Sequence, residues 1–174
     1  HSGVVGGVAK AIEEKYFQTK GNSFICGLLH DIGKVVLVQY IPEYVKVLEM
    51  AKEKNLPLYI LEQHVFEVDH GVVGSWLGEK WKLPEQVLNC MRYHHNTLAD
   101  PEKSPTLFCV WAANFLVKQL IPGKSGCWNQ KLFESDIEYL EYWGLSQDEF
   151  KTWPELYATD AQNALELMRS LLAK

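Results

Sequence analysis

Six histidines punctuate the sequence, at positions 1, 30, 64, 70, 94 and 95, and one of them stands beside an aspartate in the apolar run "GLLHDIGKVVL". Imidazole nitrogens and carboxylate oxygens are suitable donors for first-row transition metals, with metal to nitrogen distances of roughly 2.0–2.1 Å for zinc. His30 and Asp31 are costly to desolvate unless something pairs with them. Their place in an apolar segment therefore marks them for metal binding or for a buried polar network. Gly33 and Lys34 follow the pair, with Lys34 readable as a solvated helix residue. His64 reads as a hydrogen-bonded core residue. It lies six positions before His70, on a different helical face, and stays outside the candidate set.

Such residues need elements to carry them. Apolar residues recur at helical spacing almost throughout, while strict alternation is scarce, so an all-α fold is expected. The pattern predicts helices near 2–17, 22–40, 42–55, 58–67, 69–81, 84–94, 104–121 and 158–173, with shorter helical pieces between 131 and 152. Pro42 and Pro84 suit the first turn of a helix, where a missing N–H costs little. "SQDE" at 146–149 and "TDAQ" at 159–162 have the capping-box form, with Ser146 and Thr159 as the capping residues. "LADPEKSP" at 98–105 and "IPGKSG" at 121–126 read as loops. A helical bundle can gather ligands by turning one or two side chains inward from each of several helices, so long sequence separations are no obstacle.

Composition narrows the class. At 174 residues the chain suits one domain, large enough to hide about 70% of the surface its unfolded form exposes. Hydrophobic content of 47% and charged content of 22% are ordinary for a globular protein and argue against disorder. The net charge of −5 and pI near 5.7 argue against an extensive nucleic-acid surface. The longest apolar candidate for a membrane span, "LFCVWAANFLV", is short and broken by Asn114. No charged region followed by an apolar stretch marks a secretory leader, and a cytoplasmic location is expected. Cys26, Cys90, Cys109 and Cys127 lie far apart with no CxxC pair, and are expected to be reduced, the first three packed as small hydrophobes.

Four stretches, "HSGVVGGVAKAI", "ICGLLHDIGKVVL", "EQHVFEVDHGVVGSWLGEKWKLPEQVLNCMRYHH" and "WAANFL", follow the order and spacing of the HD superfamily and most closely resemble its HDOD branch. Over Glu62 to His95 the pattern is a glutamate, a DH with a glycine four residues past the histidine, W-x-L-P, and then RYHH. The resemblance covers about residues 1–120. It implies an HD-type helical core at 1–125, with a C-terminal helical extension at 126–174 packed on it. The family usually carries a further helical region before the histidine matched by His1, so the sequence reads as part of a longer protein, and a terminal His1 is expected to be loosely held.

In metal-dependent members, a first histidine, the HD pair and a later aspartate bind metal; by position these are His1, His30, Asp31 and Asn114. Two-metal relatives add histidines matched here by His70, His94 and His95. Asn114 replaces an acid with a neutral amide, a weaker ligand that should lower affinity or leave a site partly filled. The implied cofactor is a divalent transition metal: iron, manganese or zinc. No GYP-like segment follows His95, which fits poorly with cyclic-dinucleotide phosphodiesterases. The resemblance implies a regulatory or signal-transduction module with weak or absent catalysis, working with a signalling protein partner or a fused domain. The alternatives are a divalent-metal phosphohydrolase acting on a nucleotide or phosphodiester, with Asp31 and Lys34 as its catalytic residues, and a metal sensor without turnover.

Overall fold

A computed structural model describes residues 1–121 and 131–173, and its regular elements are all helical. Twelve α-helices follow in order: α1 (Ser2–Lys15), α2 (Ser23–Leu29), α3 (Ile32–Tyr40), α4 (Tyr44–Lys54), α5 (Leu58–Phe66), α6 (His70–Lys80), α7 (Glu85–Tyr93), α8 (Pro105–Leu120), α9 (Glu134–Tyr142), α10 (Gln147–Phe150), α11 (Trp153–Leu156) and α12 (Ala158–Leu172). A single 3₁₀ turn, Thr97–Ala99, lies between α7 and α8. Cys127 and most of the loop predicted at 121–126 lie outside the described residues.

The segment predicted as one helix over 22–40 is two. The chain leaves helical geometry at Asp31 (φ −100°, ψ 8°), so His30 closes α2 and Asp31 opens α3. An aspartate at such a position ordinarily caps the next helix. The Asp31 side chain makes no capping bond, because its carboxylate is turned inward, toward the histidines. "TDAQ" is also not a cap: α12 already begins at Ala158, placing Thr159 inside it. Ser146 does cap α10, accepting from the Glu149 N–H at 3.2 Å.

Two apolar clusters hold the helices together. The larger joins α1, α2, α7 and α8 with the C-terminal helices, through residues such as Val8, Ile12, Met91, Phe108, Tyr139 and Trp153. "YLEYWGL" and "KTWPELY" mostly turn inward here: Tyr139, Leu140, Leu145, Trp153 and Tyr157 are buried, and Tyr142 is exposed. Cys26, Cys90 and Cys109 are free and buried in the same cluster. The smaller cluster is Leu37, Tyr44, Val47, Ala51, Leu58 and Leu61, from α3, α4 and α5.

Glycines allow the closest crossings. A Cβ on Gly27 would sit 2.8 Å from the Gly6 Cα, so α1 and α2 meet backbone to backbone. A Cβ on Gly33 would overlap the His70 carbonyl, which fixes α3 against the start of α6. That second crossing brings Asp31 to His70.

Candidate metal centre

The helix ends converge. His1 precedes α1, His30 follows α2, Asp31 precedes α3, His70 is the first residue of α6, and His94 and His95 follow α7; Asn114 alone projects from mid-helix, on α8. The sequence pattern of inward helical faces thus corresponds to a ring of helix termini. Short polar breaks between apolar helices are the signal that marks it.

Asp31 sits at the middle of the ring. Its Oδ1 lies 3.1 Å from His70 Nε2 and 3.6 Å from His94 Nε2. Its Oδ2 accepts a hydrogen bond from Lys34 Nζ at 2.7 Å and lies 3.4 Å from His30 Nε2 and 3.9 Å from His1 Nε2. Lys34 is thus tied to the carboxylate instead of standing free in solvent. His1 Nε2–H donates to Asn114 Oδ1 at 3.0 Å, so the terminal residue is held within the site rather than loose. His95 and His70 meet at Nε2 to Nε2, 2.9 Å, and the Tyr59 ring stacks on His95 with centroids 4.4 Å apart. His64 is exposed on α5, neither a core residue nor a member of the centre.

The rings are oriented from behind. His30 Nδ1–H donates to the Gly27 carbonyl and His94 Nδ1–H to the Met91 carbonyl, each three residues back and each at 2.7 Å. His70 Nδ1–H instead donates to Glu62 Oε2 at 2.6 Å, and the same oxygen accepts the His70 backbone N–H. Tyr44 OH donates to the other Glu62 oxygen at 2.5 Å. Each Nδ1 donor leaves an Nε2 facing Asp31, the arrangement that outer hydrogen-bond partners impose on metal-ligating histidines. Glu62 and Tyr44 are the functional residues for which sequence reasoning assigned no role. Glu62 begins the telling 62–95 stretch, but nothing in spacing alone links it to His70.

Electrostatics follow from burial and Asp31. Desolvation pushes His30 down to about 3, against the pull of Asp31. Burial also lowers His94, and lowers His95 well below the ordinary histidine range, with its histidine neighbours adding to the effect. Burial alone would raise Asp31 and Glu62. His30, Lys34, His70 and His94 outweigh it and hold Asp31 well below the usual carboxylate range, while His70 and Tyr44 hold Glu62 low. His70, between two carboxylates, is raised despite its burial and the nearby Lys34 charge.

Two donor groups share Asp31: Asp31, His70, His94 and His95 on one side, and His1, His30 and Asp31 on the other, each with donor atoms within 4.8 Å of one another. Buried Asp31 Oδ1, His30 Nε2 and His94 Nε2 have no hydrogen-bond partner. Orphaned acceptors inside a protein are costly and call for a compensating group. An N/O donor set of this type suits zinc, iron or manganese, so the residues present fit a divalent metal.

Residues 1–97 match the HDOD domain family. The chain belongs to the HDOD family. An uncharacterized protein of Treponema pallidum (strain Nichols) is 37% identical over 116 residues, which cover 66% of this chain and 22% of that protein. The crystal structure of an HDOD domain protein of unknown function from Geobacter sulfurreducens superposes with a TM-score of 0.74 at 24% identity, over 95% of this chain and 60% of that one. A candidate phosphohydrolase from Shewanella amazonensis SB2B gives a TM-score of 0.64 at 14% identity, over 94% and 60% of the two chains. This HDOD chain therefore spans 22% of the Treponema relative and 60% of each structural relative, and the two structures establish its all-α fold. No described helix is long and apolar enough to cross a membrane.

Proposed function

We propose that this HDOD chain is a regulatory module built around a buried metal centre, with weak or absent turnover, acting in the cytoplasm through a protein partner or a fused domain. The observation that carries the reading is the set of orphaned buried acceptors on Asp31, His30 and His94, which a cation would satisfy. His70, His94 and His95 with Asp31 would hold one ion, and His1 and His30 with Asp31 a second. A divalent metal supplies Lewis acidity to a phosphoryl oxygen and lowers the pKa of water. Around it, Glu62 and the Gly27 and Met91 carbonyls orient the imidazoles, and Lys34 balances the Asp31 charge.

Asn114 argues for low activity. It brings no charge where the metal-dependent relatives are expected to bring an acid, and its carbonyl is engaged by His1. The space beside His94 and His95 is also small, about 50 Å³. A phosphohydrolase remains the second reading, favoured by the Lys34–Asp31 pair at the centre.

The deciding experiment assays untagged, metal-loaded protein against generic phosphodiester and nucleotide substrates. The module reading predicts turnover no higher than in the His30→Ala and Asp31→Ala variants. Hydrolysis abolished by those substitutions would establish the enzyme instead.

A further inference from the structure

The carboxylate shared by the two donor groups has unequal oxygens. Asp31 Oδ1 turns toward His70 and His94, at 3.1 and 3.6 Å, and has no hydrogen-bond partner; neither has His94 Nε2. Asp31 Oδ2 turns toward His30 and His1, at 3.4 and 3.9 Å, and already holds the Lys34 ammonium at 2.7 Å. One oxygen is unpartnered and the other is paired.

We propose that Lys34 is the resident cation of the group formed by His1, His30 and Asp31, so that this chain takes one divalent ion readily and a second only by displacing the ammonium. Resting on the metal-centre reading above, this deepens it by giving the two groups unequal affinity.

Position is the first argument. Lys34 stands in the first turn of α3, three residues after Asp31, and the crossing of Gly33 with His70 holds that turn against α6. Its side chain is only 22% exposed, so the ammonium is drawn in from the edge of the bundle. A charge withdrawn from water to that extent depends on its ionic partner.

Outer support is the second. The Glu62 carboxylate stands behind His70 in the first group. The second group is backed by neutral atoms alone, the Gly27 carbonyl on His30 and the Asn114 amide on His1. The bond from His1 Nε2–H to Asn114 Oδ1 also commits the His1 nitrogen that faces Asp31. Charge is the third. A second dication would share Asp31 with the first ion and with the ammonium, and the neutral Asn114 offsets none of the repulsion.

The test is calorimetric titration of the chelator-stripped, untagged chain with zinc, checked by elemental analysis. The wild type should bind one equivalent tightly and a second at least about a hundredfold more weakly. Lys34→Met should strengthen the second step by about tenfold or more and the first by less. Lys34→Arg, which keeps the charge, should behave as the wild type. Because Lys34→Met leaves a buried carboxylate without its ammonium and can unfold the chain, the wild type is also followed by nuclear magnetic resonance of isotope-labelled lysine. The Lys34 ammonium signal should persist through the first equivalent and be lost with the second. Two equal steps in the wild type, an unchanged second step in folded Lys34→Met, or loss of the ammonium signal with the first equivalent would overturn the assignment and leave the metal-centre reading standing. Uptake of no zinc by the folded wild type would overturn both.

Discussion

The two sides of the centre are built differently. On the side of the larger core, His30 and His94 are each fixed by a backbone carbonyl three residues earlier, Gly27 and Met91, so the helix that carries the ring also orients it. On the side of the smaller cluster, His70 is fixed by Glu62 from α5, itself held by Tyr44 from α4. The first arrangement survives as long as one helix does. The second needs three helices, α4, α5 and α6, to stay in register, and only six buried apolar residues support α3 to α5. Asp31 bridges the two, so the seam between a robust half and a fragile one is where a ligand-dependent change would act.

The largest effect expected from this asymmetry comes from Gly33→Ala. Its methyl group would overlap the His70 carbonyl and force α3 from α6, a cost of about 1–3 kcal/mol for an overpacked contact. Thermal unfolding should show a fall of several degrees, with loss of metal from the His70 side. Unchanged stability would mean that the seam is more compliant than described.

Next in size, Glu62→Gln should weaken metal binding about 10–100-fold, the usual consequence of changing a ligand's orienting partner. A competition titration with a fluorescent chelator would read it. The His30 and His94 anchors are backbone atoms and have no side-chain counterpart to remove, so an unaffected Glu62→Gln variant would erase the proposed difference between the two sides.

Asn114→Asp should act on the other group. In the metal-free protein the added carboxylate repels Asp31 and lowers stability modestly; with metal it supplies a charged ligand and should raise affinity by up to about tenfold. Affinity that does not rise would place residue 114 outside the metal site.

The smallest effect concerns exchange and labelling. After chelation, amide exchange should quicken in α5 and at the start of α6 while α1 and α8 remain protected. Cys26, Cys90 and Cys109 should resist alkylation in both states, since burial raises Cys109 and Cys90 lies beside Cys26 in the same core. Labelling of these three peptides on chelation would show that the larger core opens too.

Much of this was legible in the sequence. Helical periodicity indicated the all-α fold, the interruption of an apolar run picked out His30 and Asp31, and the resemblance to the HD superfamily added His70, His94 and His95 to the residues that meet. The break at Asp31 was not legible, because both flanks keep helical periodicity and the turn arises from the carboxylate's pull toward the histidines. Thr159 was misread as a cap because its local pattern suits one, whereas packing of Tyr157 and Ala161 in the larger core starts α12 earlier. His64 was read as a hydrogen-bonded core residue, yet it faces outward where α5 covers only a small cluster. Glu62 and Tyr44 were invisible as partners of His70, since 8 and 26 positions separate them from it and only the packing of α4 and α5 closes the gap.

The most direct measurement is the metal content of untagged wild-type protein beside Asp31→Ala, by elemental analysis after extensive dialysis. The account predicts at least one equivalent of iron, manganese or zinc in the wild type, and near-complete loss in the variant with its helical content intact. A folded wild-type protein that takes up none of these metals, or a variant that retains them in full, would contradict it.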